Sequence, residues 1–213
     1  LRDLDKLYSF PDTLCALLLN GKALRTWLEM SASLFCQIPD GSKHKPLHNP
    51  QFPSYLFDVI PQLDYEIDLS QTATFNERRE RVSFGEGRIS ALSYQGKPVT
   101  DDALFVLATS SFRARGVMPD MPREDAPQLL FDTGQTCRAA IRTYISERSP
   151  ISVPARESWH FKPQAQTSAT FLTSQRATPD PAQGISFIRN TVEGFREMRI
   201  SLSAHKEAHE PTP

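Results

Sequence analysis

The chain has three cysteines and nine glycines in 213 residues, and its formal net charge is −1. Each shortage removes a class of explanation. Cys15, Cys36 and Cys137 cannot all pair, and none has the close spacing of a metal knuckle, so they read as buried apolar side chains. Lys and Arg (24) nearly cancel Asp and Glu (25), so no chain-wide field recruits a nucleic-acid polymer or an anionic membrane. No apolar run approaches the roughly 20 residues that span a bilayer. The glycines form neither a phosphate-binding loop nor a dinucleotide fingerprint, and no serine stands in a nucleophile elbow. The residues themselves therefore favour binding over bond-breaking.

What is present is a hydrophobic fraction of 39%, enough to build one globular domain or two small ones. The opening residues, Leu1 to Asp5, lack the shape of a signal peptide and no methionine precedes them. We expect a piece of a longer protein, with a targeting sequence and an upstream domain before it.

Hydrophobic periodicity predicts alternating α and β elements. Thr13 to Leu19 is a short apolar run that reads as a buried strand closing in a turn at Asn20-Gly21. From Lys22 to Phe35, Leu24, Trp27, Leu28, Ser31 and Phe35 recur every three or four residues and predict an amphipathic helix. Pro39 to Pro53 reads as a loop long enough to be functional or mobile. Tyr55 to Leu69 alternates as a strand, most clearly over Leu63 to Leu69, with a hairpin partner at Gly87 to Tyr94 closed by Gln95 to Pro98. The stretch Asn76 to Arg81 between them reads as a solvated surface. Leu104 to Thr109 reads as a central strand, and Pro119 to Pro127 as loop. Thr136 to Glu147 predicts a helix with Cys137, Ala140, Ile141, Tyr144 and Ile145 inward. Trp159 to Phe161, Ala169 to Leu172 and Met198 to Leu202 follow as short strands, and the chain ends in a frayed tail.

Metal ligation has little support. His44 and His48 are four apart, but Pro46 lies between them, and His205 and His209 stand in the terminal tail. His160 reads as a hydrogen-bonded structural histidine. Asp64, Glu66 and Asp68 alternate along a strand and would line one exposed face, where solvation explains them. Two segments stand apart. Ser9 to Thr13 and Ser110 to Ala114 each place a phenylalanine, Phe10 and Phe112, in a loop beside polar groups. On their own residues these are either core plugs or surfaces on which a flat ligand stacks.

Phe10-Pro11-Asp12-Thr13-Leu14, Asn20 to Leu24 and Trp27 to Ala32 resemble the C-terminal domain of the 5′-nucleotidase family. Tyr55 to Ile60, Tyr65 to Ser70 and Ser111 to Ala114 continue the likeness in order. Ser158 to Phe161 and Gly194 to Leu202 are similar to the final strands of its periplasmic 2′,3′-cyclic-nucleotide 2′-phosphodiesterase/3′-nucleotidase branch.

The resemblance implies an α+β domain layered α-β-β-α with mixed and antiparallel sheets, over residues 1–203, and a flexible tail at 204–213. It implies that Phe10 and Phe112 sandwich the base of a nucleotide or nucleoside, that Asp12 meets the base edge, and that Asp58 and Tyr55 stand at the pocket rim. An ionised Asp12 only accepts hydrogen bonds, which favours bases offering an amino or N–H edge. Arg113 or Arg115 would meet phosphate or solvent; the arginines that relatives use for phosphate lie upstream of Leu1. Arg113 to Pro119, directly after the second aromatic, holds a single glycine, Gly116, where relatives carry several. No cofactor is expected in this chain; two divalent metal ions are expected in an N-terminal metallophosphoesterase domain of the same polypeptide, its partner. The whole would be a periplasmic or secreted phosphoric ester hydrolase of nucleotide catabolism. The open alternative is a stand-alone nucleoside-binding or interaction module without catalytic activity.

Overall fold

In chain order, the computed structural model contains α1 (Leu4–Leu7), β1 (Thr13–Asn20), α2 (Gly21–Ala32), β2 (Lys45–Pro46), β3 (Leu63–Ile67), β4 (Ile89–Tyr94), β5 (Lys97–Pro98) and β6 (Leu104–Ser110). There follow α3 (Ser111–Gly116), β7 (Gln128–Thr136), α4 (Cys137–Arg148), β8 (Trp159–Phe161), β9 (Ser168–Thr173), β10 (Ile185–Asn190) and β11 (Arg196–Ser201). The structure describes residues 4–116, 125–153 and 156–203. The expected tail, with His205 and His209, lies outside them, as does most of the Pro119 to Pro127 loop. The strands form one antiparallel sheet in the order β6-β1-β7 and two mixed four-stranded sheets, β10-β11-β9-β2 and β5-β4-β3-β8. The fold is mixed α and β with antiparallel and mixed sheets, as the sequence leads one to expect.

Asn20 is less a turn residue than a cap. Its side-chain oxygen accepts the Ala23 N–H at 2.8 Å and starts α2 directly at the end of β1. Gly21 is required there, because a Cβ at that position would sit 2.0 Å from the Thr100 carbonyl oxygen. Leu24, Trp27 and Leu28 of α2 enter a core shared with Leu17 and Leu19 of β1 and Leu63, Tyr65 and Ile67 of β3. The α2 face toward the 71–89 segment is polar but closed. Glu29, buried, accepts the Thr74 hydroxyl at 2.8 Å and the N–H groups of Arg88 and Ile89 at 2.9 and 2.7 Å. Arg88, 1% exposed, donates to the Ala32 and Phe35 carbonyls at the end of α2 and to the Gln71 carbonyl. A cation there meets the negative end of the helix dipole.

Several expectations are corrected. β6 is an edge strand rather than a central one: β1 occupies the middle, and Leu104 and Val106 are 70% and 66% exposed. An apolar run reads as buried on both faces, but here only Phe105 and Leu107 pack on the core. The face of α4 expected to be inward contains no buried residue. The 39–53 loop carries β2, paired in parallel with β9. Asp68 is buried, not exposed; its carboxylate takes bonds from the Ser70 hydroxyl at 2.6 Å and from Lys162 at 3.0 Å. β7 and β10 are strands where none was expected, and the strand expected from Tyr55 begins only at Leu63, after a single 3-10 turn at Ser54–Leu56. His160 does bond a neighbour, Glu66, at 3.2 Å.

Candidate functional site

The two aromatic segments meet because β1 and β6 are antiparallel. The segment carrying Phe10 enters β1 and the segment carrying Phe112 leaves β6, so both lie at one end of the pair, with Leu14 opposite Ser110. The Thr13 N–H donates to the Ser111 hydroxyl at 3.0 Å and pins the two together. Phe112 is not in a loop as expected; it sits in the first turn of α3, which is too short to show periodicity in the sequence. Phe10 is 64% and Phe112 48% exposed, so neither is a core plug.

Each phenylalanine has its own support. Behind Phe10 stands Tyr8, edge-on at 6.2 Å between ring centroids. Its hydroxyl donates to Asp12 Oδ2 at 2.9 Å. Burial, and then that bond, push the Tyr8 hydroxyl up to about 12, so it stays a donor at neutral pH. The carbonyl of Asp12 accepts the Cys137 N–H at 2.8 Å, which ties the segment to the start of α4. Oδ1 is then the Asp12 oxygen without a bond to another described residue.

Behind Phe112 the support is a chain of contacts. The Arg113 guanidinium lies 5.4 Å from the Phe112 ring centroid, pairs with Asp58 Oδ1 at 2.9 Å and donates to the Tyr55 carbonyl. The Tyr55 ring stands 6.4 Å from that of Phe112. Asp58 Oδ2 accepts the Trp27 indole N–H at 2.8 Å, and its backbone N–H donates to the Ser31 hydroxyl at 3.1 Å. Burial raises the Asp58 carboxyl above its usual range, against the downward pull of Trp27 and Arg113. A pocket of about 130 Å³ opens beside this network between Trp27, Asp58, Pro61 and Thr109.

The structure thus gathers Tyr55, Asp58, Phe112 and Arg113 into one cluster and ties the Phe10–Asp12 segment to it through Thr13 and Ser111. Arg113 gives its Nη2 to both Asp58 and Tyr55, while its Nη1 is buried without a partner among the described residues. Arg115 pairs with Asp132 at 2.7 Å. Tyr8, Trp27 and Ser111 were missed as members. Trp27 alone carried a signal, since a buried indole N–H needs an acceptor. Among the described residues no group of three His, Cys, Asp or Glu could hold a metal ion. His48 lies stacked 5.6 Å from Phe35. The three cysteines are free, Cys15 buried and the others half-buried. No helix among the described residues is long and apolar enough to cross a membrane.

Comparisons with known proteins bear on what this end of the sheet serves. The family model of the 5′-nucleotidase C-terminal domain matches residues 1–118. The chain is similar to a 2′,3′-cyclic-nucleotide 2′-phosphodiesterase/3′-nucleotidase of Yersinia enterocolitica, 37% identical over 94% of this chain and 33% of that protein. A Haemophilus influenzae protein of the same description is 32% identical over 76% of this chain and 25% of its own length. A trifunctional nucleotide phosphoesterase of Bacillus subtilis is 30% identical over 95% of this chain and 14% of its own length. The chain therefore spans a third or less of these relatives. Among solved structures, a Staphylococcus aureus protein described as a 5′-nucleotidase superposes with a TM-score of 0.55 at 18% identity, over 75% of this chain and 29% of that one. A 5′-nucleotidase precursor of Thermus thermophilus gives 0.51 at 17%, over 75% and 27%. At such identities the likeness is one of fold.

Proposed function

Because the chain belongs to the 5′-nucleotidase C-terminal domain family, we propose that it is the substrate-recognition part of a nucleotide phosphohydrolase, in which Phe10 and Phe112 hold the base between their rings. The observation that carries this reading is the pair of half-exposed phenylalanines at one end of β1 and β6, each held in place by its own polar network. Stacking on an aromatic contributes about 1 to 3 kcal/mol per base and accepts any base, which suits a broad scavenger of nucleotides. Asp12, with Oδ2 held by Tyr8, has Oδ1 to accept an amino or N–H group from the base edge.

In this reading the chain's own work is to bind and orient. The chemistry belongs to an N-terminal metallophosphoesterase domain of the same polypeptide, where two divalent ions would activate water and neutralise charge on phosphorus. Substrates are nucleoside 2′,3′-cyclic phosphates, 3′-nucleotides or 5′-nucleotides, and the protein works in the periplasm or outside the cell. Steady-state kinetics of the full-length protein test this. Phe112→Ala is expected to raise KM for adenosine 3′-phosphate by roughly tenfold or more while kcat changes less, the signature of lost ground-state binding. Unchanged KM in Phe10→Ala and Phe112→Ala alike would refute it.

A further inference from the structure

A second concavity, of about 510 Å³, lies on the sheet of β9, β10 and β11, and none of its lining residues belongs to the aromatic cluster. We infer that it is a binding site for a phosphorylated polyol, with Lys43 and Arg199 taking the phosphate and a row of serines taking the hydroxyls.

Strand alternation builds the floor. Ser186 pairs opposite Arg199, and Ser168 opposite Ser201, while Arg199 and Ser201 are two apart on β11, so all four share one face. The opposite face carries Ala169 and Met198, both fully buried. A half-solvated antiparallel sheet is polar on its outer face in any case, so polarity alone decides nothing. Three further features do.

First, the face is walled. On one side the chain at 41–44 is fastened to the floor: the Gly41 N–H donates to the Thr167 hydroxyl at 2.8 Å, and the Ser168 N–H to the Ser42 carbonyl at 2.9 Å. On the other side, the turn that ends at Gly184 is held by the Ser201 N–H at 3.0 Å. The concavity is open to solvent, and its volume falls in the range of small-ligand sites, about 300 to 1,000 Å³.

Second, the backbone is strained at the rim. His44 and Gln166, neither of them glycine, have φ of 60° and 54°. Such conformations cost about 1 to 3 kcal/mol and gather where geometry is selected for a site.

Third, the charge is uncompensated. Lys43, His44 and Arg199 line the concavity and no carboxylate does. Lys43 and His44 make no ion pair with a described residue, and Arg199 spends only its Nε, on Ser186 at 3.2 Å. The nearest acids in sequence are engaged elsewhere: Glu197, two residues before Arg199 on the same face of β11, pairs with Arg189 at 2.5 Å, Asp180 accepts the N–H groups of Ala182 and Gln183, and Asp40 accepts the Gln164 amide. Arg199 therefore presents its terminal N–H groups as a fork, and Lys43 a point charge, the pair suited to a phosphate dianion. The hydroxyls of Ser168, Ser186 and Ser201 can both donate and accept, which matches sugar hydroxyls.

Amide chemical-shift titration of the 213-residue chain with ribose 5-phosphate, ribose and inorganic phosphate tests the assignment. Ribose 5-phosphate is expected to saturate shifts at Ser168, Ser186 and Ser201. Arg199→Gln is expected to weaken it by about tenfold, the loss of a bidentate charge-assisted contact, with an unchanged melting temperature. Lys43→Gln on the exposed wall serves as a second variant, with the same expected loss. Phe10→Ala is expected to leave the titration untouched, which separates this site from the aromatic cluster. No saturable shift at millimolar ligand, or equal binding of ribose 5-phosphate by the wild type and both variants, would overturn the assignment. Inorganic phosphate binding as tightly as ribose 5-phosphate would overturn the role of the serines.

Discussion

At Tyr8 the direction of a single hydroxyl hydrogen decides what Asp12 can accept. The Tyr8 hydroxyl occupies Oδ2, and burial keeps that hydroxyl protonated far above neutral pH, so in the proposed role Oδ1 is left to accept a donor edge of the base. Tyr8→Phe removes the hydroxyl and leaves the ring behind Phe10. The expected outcome is a weaker preference for adenosine over purine riboside, which lacks the amino group, with a stability loss of only about 1 kcal/mol. Paired titrations of the two nucleosides check it; an unchanged preference would exclude Tyr8 as the residue that orients Asp12. Little of this was legible in the sequence. Phe10 stands out as an aromatic beside polar groups and Asp12 through resemblance, but no spacing or motif marks Tyr8. The partnership of Arg113 with Asp58 spans 55 positions, and no local spacing reveals it.

Among the elements, α2 and the β3–β4 hairpin were legible because each buries one face and exposes the other, and that alternation is written directly in residue order. β7 and β10 were not, because most of their side chains are exposed and backbone pairing rather than burial holds them. Glu29 shows the same limit inside a helix that was read correctly. Its place on α2 is legible; its three bonds to the 74–89 segment are not. Glu29→Ala should leave two buried N–H groups and a hydroxyl without partners and cost at least about 3 kcal/mol, measured by urea denaturation at neutral pH. A cost below about 1 kcal/mol would mean that water replaces the carboxylate.

Just beyond the ends of β3 and β8, Asp68 pairs with Lys162 at 3.0 Å. The Ser70 and Lys162 contacts hold the Asp68 carboxyl below its ordinary value despite its burial. A carboxyl whose folded pKa is depressed contributes stability that is complete above the ordinary value and is lost as pH falls through the folded one. Stability is therefore expected to decline below about pH 4, and Asp68→Asn to flatten that decline while lowering stability at neutral pH. Thermal melts of both proteins across the acid range decide it; parallel curves would remove Asp68 from the account.

For the whole molecule, the meaning of the fold depends on its being a third or less of its relatives. Family and fold class were legible because short motifs recur in the right order along the chain. The edge position of β6 was not, because an apolar run says nothing about which neighbour is absent. What the described residues present is an end of the β1 and β6 pair with two exposed aromatic rings, which the proposed role in substrate selection requires. The most direct test of that claim is calorimetric titration of adenosine into this chain and into the Phe10→Ala/Phe112→Ala double variant. Saturable binding by the wild type is expected, with about 1 to 3 kcal/mol of affinity lost for each phenylalanine removed and no measurable binding by the double variant. Adenosine binding equally well to a folded double variant would contradict the account.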